Sequence, residues 1–191
     1  ERTRCIRGAD TPDLQAGGVG KMPVRYLKPP SLQKRRLSHG DLVIEISGGS
    51  PTQSTGRPVL VLDRLLRRLD APLLCSNFCR LLKPKKPGYS KFVYLWLRSM
   101  YSADEFLQFE NGTTGIKNFA FTLFSSKYKL CIPSDNALAA FNEQVLPAFA
   151  RQQSAATEAD TLAALRDTLL PKLISGELRV ADAEKFVGKT V

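Results

Sequence analysis

A few groups of residues in this 191-residue chain have types and spacings that could do chemistry. The run AGGVGKM at 16–22 looks like part of a phosphate-cradling loop, in which glycine N–H groups and a lysine hold a polyphosphate. That motif needs a glycine where Gln15 stands and a serine or threonine where Met22 stands, and no strand precedes it. Asp41 and Glu45 in GDLVIEIS suggest the carboxylates of a metal-dependent nuclease, but the lysine that should follow the glutamate is missing. Asp10 and Asp13 lie in irregular sequence that forms no carboxylate pair. His39, the single histidine, has no cysteine or serine at a recognisable spacing and reads as an exposed loop residue. Cys75 and Cys79 are four apart in an apolar run, a poor spacing for zinc, with Cys5 and Cys131 remote. Neither the Asn/Asp-Pro-Pro-aromatic signature nor the glycine-rich cofactor loop of an adenine methyltransferase is present. The expectation is a non-catalytic chain with no metal site and reduced, buried thiols, as in a cytoplasmic protein.

Charge gives the first positive indication. The formal net charge is +10, and it is unevenly placed. Residues 1–100 carry 19 Lys/Arg against 7 Asp/Glu, while 101–191 carry 9 against 11. A basic first half joined to a near-neutral second half suits a polyanion-binding domain followed by an assembly element. Apolar content of 43% fits a globular protein, and no apolar run is long enough to span a membrane.

These residues need elements to position them. Residues 41–47 alternate Leu42, Ile44 and Ile46 with Val43 and Glu45, which predicts a strand buried mainly on one face. A long polar turn follows at 48–58, then a strand at 59–63. Residues 72–84 read as one further apolar strand, and 90–102 as a helix capped by Ser90. The segment 109–133 begins as a Gly/Thr loop and ends in a short strand at 129–132. From Asp135, a plausible N-cap, apolar or small residues recur with 4-3 spacing: Leu138, Phe141, Val145, then Leu162, Leu169 and Leu173. Pro147 is a candidate kink, and Gly176 ends the helix. An unbroken helix of this length presents an apolar seam that needs a partner. The predicted fold is α+β: a mixed β/α domain at 1–132, a long coiled-coil helix at 135–180 and a tail at 181–191.

The end of that helix is specific. LRDTLLPKLISGELRV at 165–180 closely resembles the conserved helix end of specificity subunits of type I restriction-modification enzymes. FNEQVLPAF at 141–149, LSHGDLVIEISGGSPTQSTGRPVLV at 37–61 and NGTTGIKNF at 111–119 resemble other parts of the family in the expected order. The usual subunit has two recognition domains and two such helices; one of each stands here, like most of a C-terminal half. Where the family has a Pro-rich, Glu-Gln helix entry, SDNALAAFNEQ stands instead.

The resemblance implies a target recognition domain that holds partner enzymes on duplex DNA and neither cuts nor methylates. Candidate phosphate contacts are then Arg35, Arg36, Arg57, Lys83, Lys85, Lys86 and Lys91. Candidate base readers are Ser50, Thr52, Gln53, Ser54 and Arg57 in one loop, and Asn111, Thr113 and Thr114 in the other. Implied partners are the methyltransferase and restriction subunits, which would bring S-adenosylmethionine, ATP and magnesium; this chain would bind no cofactor. With the other half absent, a homodimer through the helix is expected. The alternatives are a coiled-coil adaptor that binds protein, and an orphan nuclease fragment.

Overall fold

The computed structural model describes residues 1–48, 53–86, 88–112 and 115–179. In chain order the elements are β1 (Arg2–Ile6), α1 (Thr11–Gln15), β2 (Val24–Tyr26), α2 (Pro29–Arg35), β3 (Leu42–Glu45), β4 (Ser47–Gly48) and β5 (Pro58–Leu60). Then come α3 (Asp63–Arg67), β6 (Leu73–Cys75), β7 (Cys79–Leu82), α4 (Tyr89–Ser102), β8 (Glu110–Asn111), β9 (Lys117–Phe119), α5 (Phe121–Lys127) and α6 (Asp135–Ile174). The architecture is mixed α+β with a long C-terminal helix.

The strands form three small sheets, ordered β2-β1-β6, β5-β3-β7 and β4-β9-β8. All pairings are antiparallel except β1 with β6. β3 is central, and all four of its residues are buried. Successive side chains point to opposite faces of a strand. Val43 joins Val59 and Val61 in an aliphatic core against β1 and β6. Leu42, Ile44 and Leu60 join the other core, which is built from Phe106, Phe109, Phe119 and Phe124. The one-face burial predicted for this strand is thus corrected. Val43 is buried on the second face, and Glu45 is 2% exposed and paired with Arg57.

Other sequence expectations shift as well. Residues 72–84 fold into two strands, because Asn77 and Phe78 turn the chain between β6 and β7. The predicted strand at 59–63 ends at Leu60, and α3 takes over from Asp63. No strand forms at 129–132; order in that region comes earlier, as β9 and α5. Phe121 and Phe124 of α5 are drawn into the aromatic core, a tertiary effect that outweighs local β propensity. Ser90 lies inside α4 rather than capping it. Phe106 sits at the centre, with ring centroids 4.8 Å from Phe119 and 4.9 Å from Phe124. Gly56, at φ +95°, makes that possible: a Cβ there would meet the Phe106 ring at 2.4 Å.

α6 runs 40 residues, about 60 Å. Its cap is Ser134, not Asp135: the Ser134 hydroxyl accepts the Ala137 N–H at 3.3 Å, and Asp135 lies in the first turn, where a negative charge favours the helix dipole. The helix passes through Pro147 and Pro171. Both prolines are exposed, so water can satisfy the carbonyls left without an N–H partner. Gly176, at φ +75°, ends it, with its N–H on the Leu173 carbonyl at 3.2 Å and the Leu178 N–H on Lys172 at 3.0 Å.

The seam does not stay free along its length. Phe141 packs edge-on against Phe92 of α4 at 5.5 Å, and Phe149 lies 5.9 Å from Tyr94. Leu138 and Phe149 are buried, and Val145 packs on the aromatic core. Further on, the Gln152 side chain donates to the Gln15 carbonyl, Arg64 donates to Ser154 and Thr157, and Arg68 pairs with Asp160. The first half of α6 is therefore part of the domain, and the division at 132–135 cuts through one core. Beyond Asp160 the character changes: Leu162 is 59% exposed and Ile174 78%.

Candidate nucleic-acid interface

The two polar loops singled out in the sequence lie more than 50 residues apart, and the smallest sheet joins them. Ser47 pairs with Asn118 and Gly48 with Lys117, while Asn111 pairs with Asn118 from the other side. The joint is pinned by Glu110, whose Oε1 accepts both the N–H and the hydroxyl of Thr55, the latter at 2.9 Å. Lys117 reaches Glu110 at 3.2 Å and the Gln53 carbonyl at 3.5 Å. Gln53 is half-buried and Asn111 exposed beside this sheet. Ser50, Thr52, Thr113, Thr114 and the tail 181–191 lie outside the described residues.

A cationic edge adjoins the sheet. α2 begins at Pro29, whose fixed φ suits a first helical turn, and ends with Lys34 and Arg35, where positive charge favours the dipole. The Arg35 guanidinium donates to the Cys75 carbonyl and to Asn77 Oδ1, both at 3.1 Å. Lys34, Arg35, Asn77 and Lys83 line one shallow depression along β7. From there the link to the loops is covalent and hydrogen-bonded: the Phe78 carbonyl accepts the Ile46 N–H at 2.8 Å and the Ser47 N–H at 3.1 Å. Arg36 is exposed at the end of α2.

Other candidates are placed differently. Arg57 is buried, with its guanidinium on both Glu45 oxygens at 2.8 Å and on the Gly8 carbonyl at 3.0 Å. With Nε and Nη2 bound to Glu45 and Gly8 and the side chain 8% exposed, it serves the fold before any phosphate or base. The hydrogen bonds to Glu45 also raise its pKa further, so it stays charged. Ser54 is buried too, its carbonyl accepting from the Tyr101 hydroxyl at 3.3 Å. Lys83 lies 3.3 Å from Asp41. Lys86 pairs with Asp135 at 3.7 Å and stands over the Tyr89 ring, so it belongs with the start of α4 and α6. Lys85 is exposed and Lys91 half-buried on that same stretch.

Sequence reading missed Asn77, Lys34, Lys117 and Asn118. The Ser-Asn pair inside CSNFC was a usable turn signal. Nothing local marked Lys117 or Asn118, because their position comes from pairing with β4.

The motifs set aside have structural roles. The Gly20 N–H donates to Asp13 and the Lys21 N–H to Asp10, so the amides a phosphate loop would offer are already taken. Asp10 is buried and also receives Arg7. His39 Nδ1 accepts the Asp63 N–H at 3.0 Å at the start of α3. Among the described residues no three His, Cys, Asp or Glu side chains gather as a metal site, and no helix is long and apolar enough to cross a membrane. Arg4 and Arg2 hold the Asp70 carboxyl well below the usual carboxylate range, so these cations are already paired.

The cysteines are unbridged. Burial raises the Cys5 and Cys75 thiols and pushes Cys79 up to about 12. Only the thiolate is nucleophilic. Native protein should therefore react rapidly with a thiol reagent at Cys131 alone, and at all four sites in denaturant. Fast native labelling of Cys79 would contradict the packing of β7.

The fold and site together define a class: an α+β domain with a basic depression along β7 and a long C-terminal helix. No protein-family model matches the chain, and no curated protein matches it.

Proposed function

We propose that the chain is a DNA-recognition subunit of the type I specificity kind, which places methyltransferase and restriction subunits on a bipartite duplex site. The single observation that carries this reading is the convergence at β4-β9-β8. Strands that flank two segments rich in Gly, Ser, Thr, Gln and Asn pair there, and the Phe78 carbonyl links that sheet to the depression lined by Lys34, Arg35 and Lys83. Cations draw and orient a phosphate backbone, whereas amide side chains read base edges. The exposed leucines beyond Asp160 suit assembly with partner subunits. The same leucines support the second reading, an adaptor that binds protein and not DNA.

Duplex binding at varied salt separates the two. With about 4–6 phosphates neutralised, affinity should fall roughly 10²–10³-fold between about 50 and 200 mM salt. Changing Lys34, Arg35 and Lys83 together to alanine should lower the log–log slope by about 2–3. Binding indifferent to salt, or a slope unmoved by the triple variant, would remove the support for this face. Reconstitution with methyltransferase subunits, followed by sequencing of methylated adenines, then tests target choice.

A further inference from the structure

Phe78 has no role in the reading above. It is 57% exposed, in the second position of the Asn77–Phe78 turn between β6 and β7. A lone exposed apolar side chain is ordinary, so exposure alone carries nothing. The mount beneath it is what matters. The Cys79 N–H closes the turn on the Ser76 carbonyl at 3.1 Å. The Phe78 carbonyl itself holds two N–H groups, those of Ile46 and Ser47. Asn77, one residue earlier, is held by Arg35. The backbone under the ring is thus tied to β3, β4, β7 and α2. The exposed ring stands on a fixed turn between the basic depression, which Asn77 helps to line, and β4, whose Ser47 N–H the Phe78 carbonyl holds.

We propose that Phe78 is a wedge that enters the base stack of duplex DNA lying across this face. The proposal rests on the DNA-binding reading. A polyanion held at the basic depression and read at β4-β9-β8 would lie across the turn that links them. An apolar ring there gains by leaving water and taking stacking contacts, and it kinks the duplex at that step. Unstacking a base step has a cost that a mismatch has already met. Wedge insertion therefore predicts a preference for DNA that is already unstacked.

The test compares two probes by fluorescence anisotropy: a mixed-sequence duplex, and the same duplex with a central tandem mismatch. The unmodified chain should bind the mismatched probe about tenfold tighter. Phe78→Ala should bring that ratio close to one and leave the salt slope unchanged, while Phe78→Trp should keep the preference. Thiol labelling confined to Cys131 checks that each variant is folded. A mismatch preference that survives Phe78→Ala, or equal binding of both probes by the unmodified chain, would overturn the wedge and leave the DNA reading standing. Failure to bind either duplex would overturn both.

Discussion

Glu45→Gln is expected to cost about 3–5 kcal/mol of stability, because it leaves the Arg57 guanidinium buried without its counter-charge. For a domain of this size that corresponds to a fall in Tm of roughly 6–20 °C. The two side chains are 2% and 8% exposed, and Arg57 meets both carboxylate oxygens at 2.8 Å. Arg57→Met should do comparable harm from the other side, by stranding the carboxylate. The double change Glu45→Met with Arg57→Met should be much milder than either single change, since packed apolar residues avoid the desolvation of both ions. Thermal unfolding of the three variants measures this. A single variant that melted within about 2 °C of the parent would show the pair to be solvated and Arg57 accessible to ligands.

The pair also bears on the candidate interface. Glu45 ends β3 and Arg57 precedes β5, so the ion pair closes the base of the loop between them. The Thr55 contacts with Glu110 close it again from β8. These contacts fix the described ends of the segment, at Glu45 and at Thr55–Arg57.

The two halves of α6 should respond oppositely to substitution. Phe149→Ala removes a buried ring that packs on Tyr94, and should destabilise the fold by about 3–5 kcal/mol. Leu162→Glu with Leu169→Glu changes one exposed and one half-buried residue, and among the described residues no ring or hydrogen-bond contact to the domain holds the helix there. That double variant should melt near the parent, within about 1 kcal/mol. It should nevertheless abolish self-association, because charge in an apolar seam opposes pairing. Light scattering and thermal melts together test the division. Loss of folding in the Leu162/Leu169 variant would show that the whole helix belongs to the domain. A parent chain that is monomeric at micromolar concentration would remove the homodimer.

Where the signal was local, much was legible in the sequence. The 4-3 recurrence from Leu138 to Leu173 marks a long helix because one face repeats every turn, and it spans what became α6. Gly176 marks its end, because a left-handed residue is most easily a glycine. The cationic run through Arg35 and Arg36, and the amide-rich loops at 48–58 and 111–115, were visible as composition. The sequence by itself determined the α+β class, the long helix and the basic first half.

Tertiary structure decided which of these residues are available, because availability depends on neighbours distant in the chain. Arg57 and Lys83 look alike as charges, yet one lies inside on Glu45 and the other at the surface. Leu138 and Leu162 both lie on the apolar seam of the repeat, but only Leu138 is buried against the domain. Helix periodicity fixes which residues share a face and says nothing of what that face touches. The joining of the two loops was likewise beyond local reading. It rests on pairings of Ser47 and Asn111 with Asn118, and strand pairing between segments so far apart is set by the burial of the whole core.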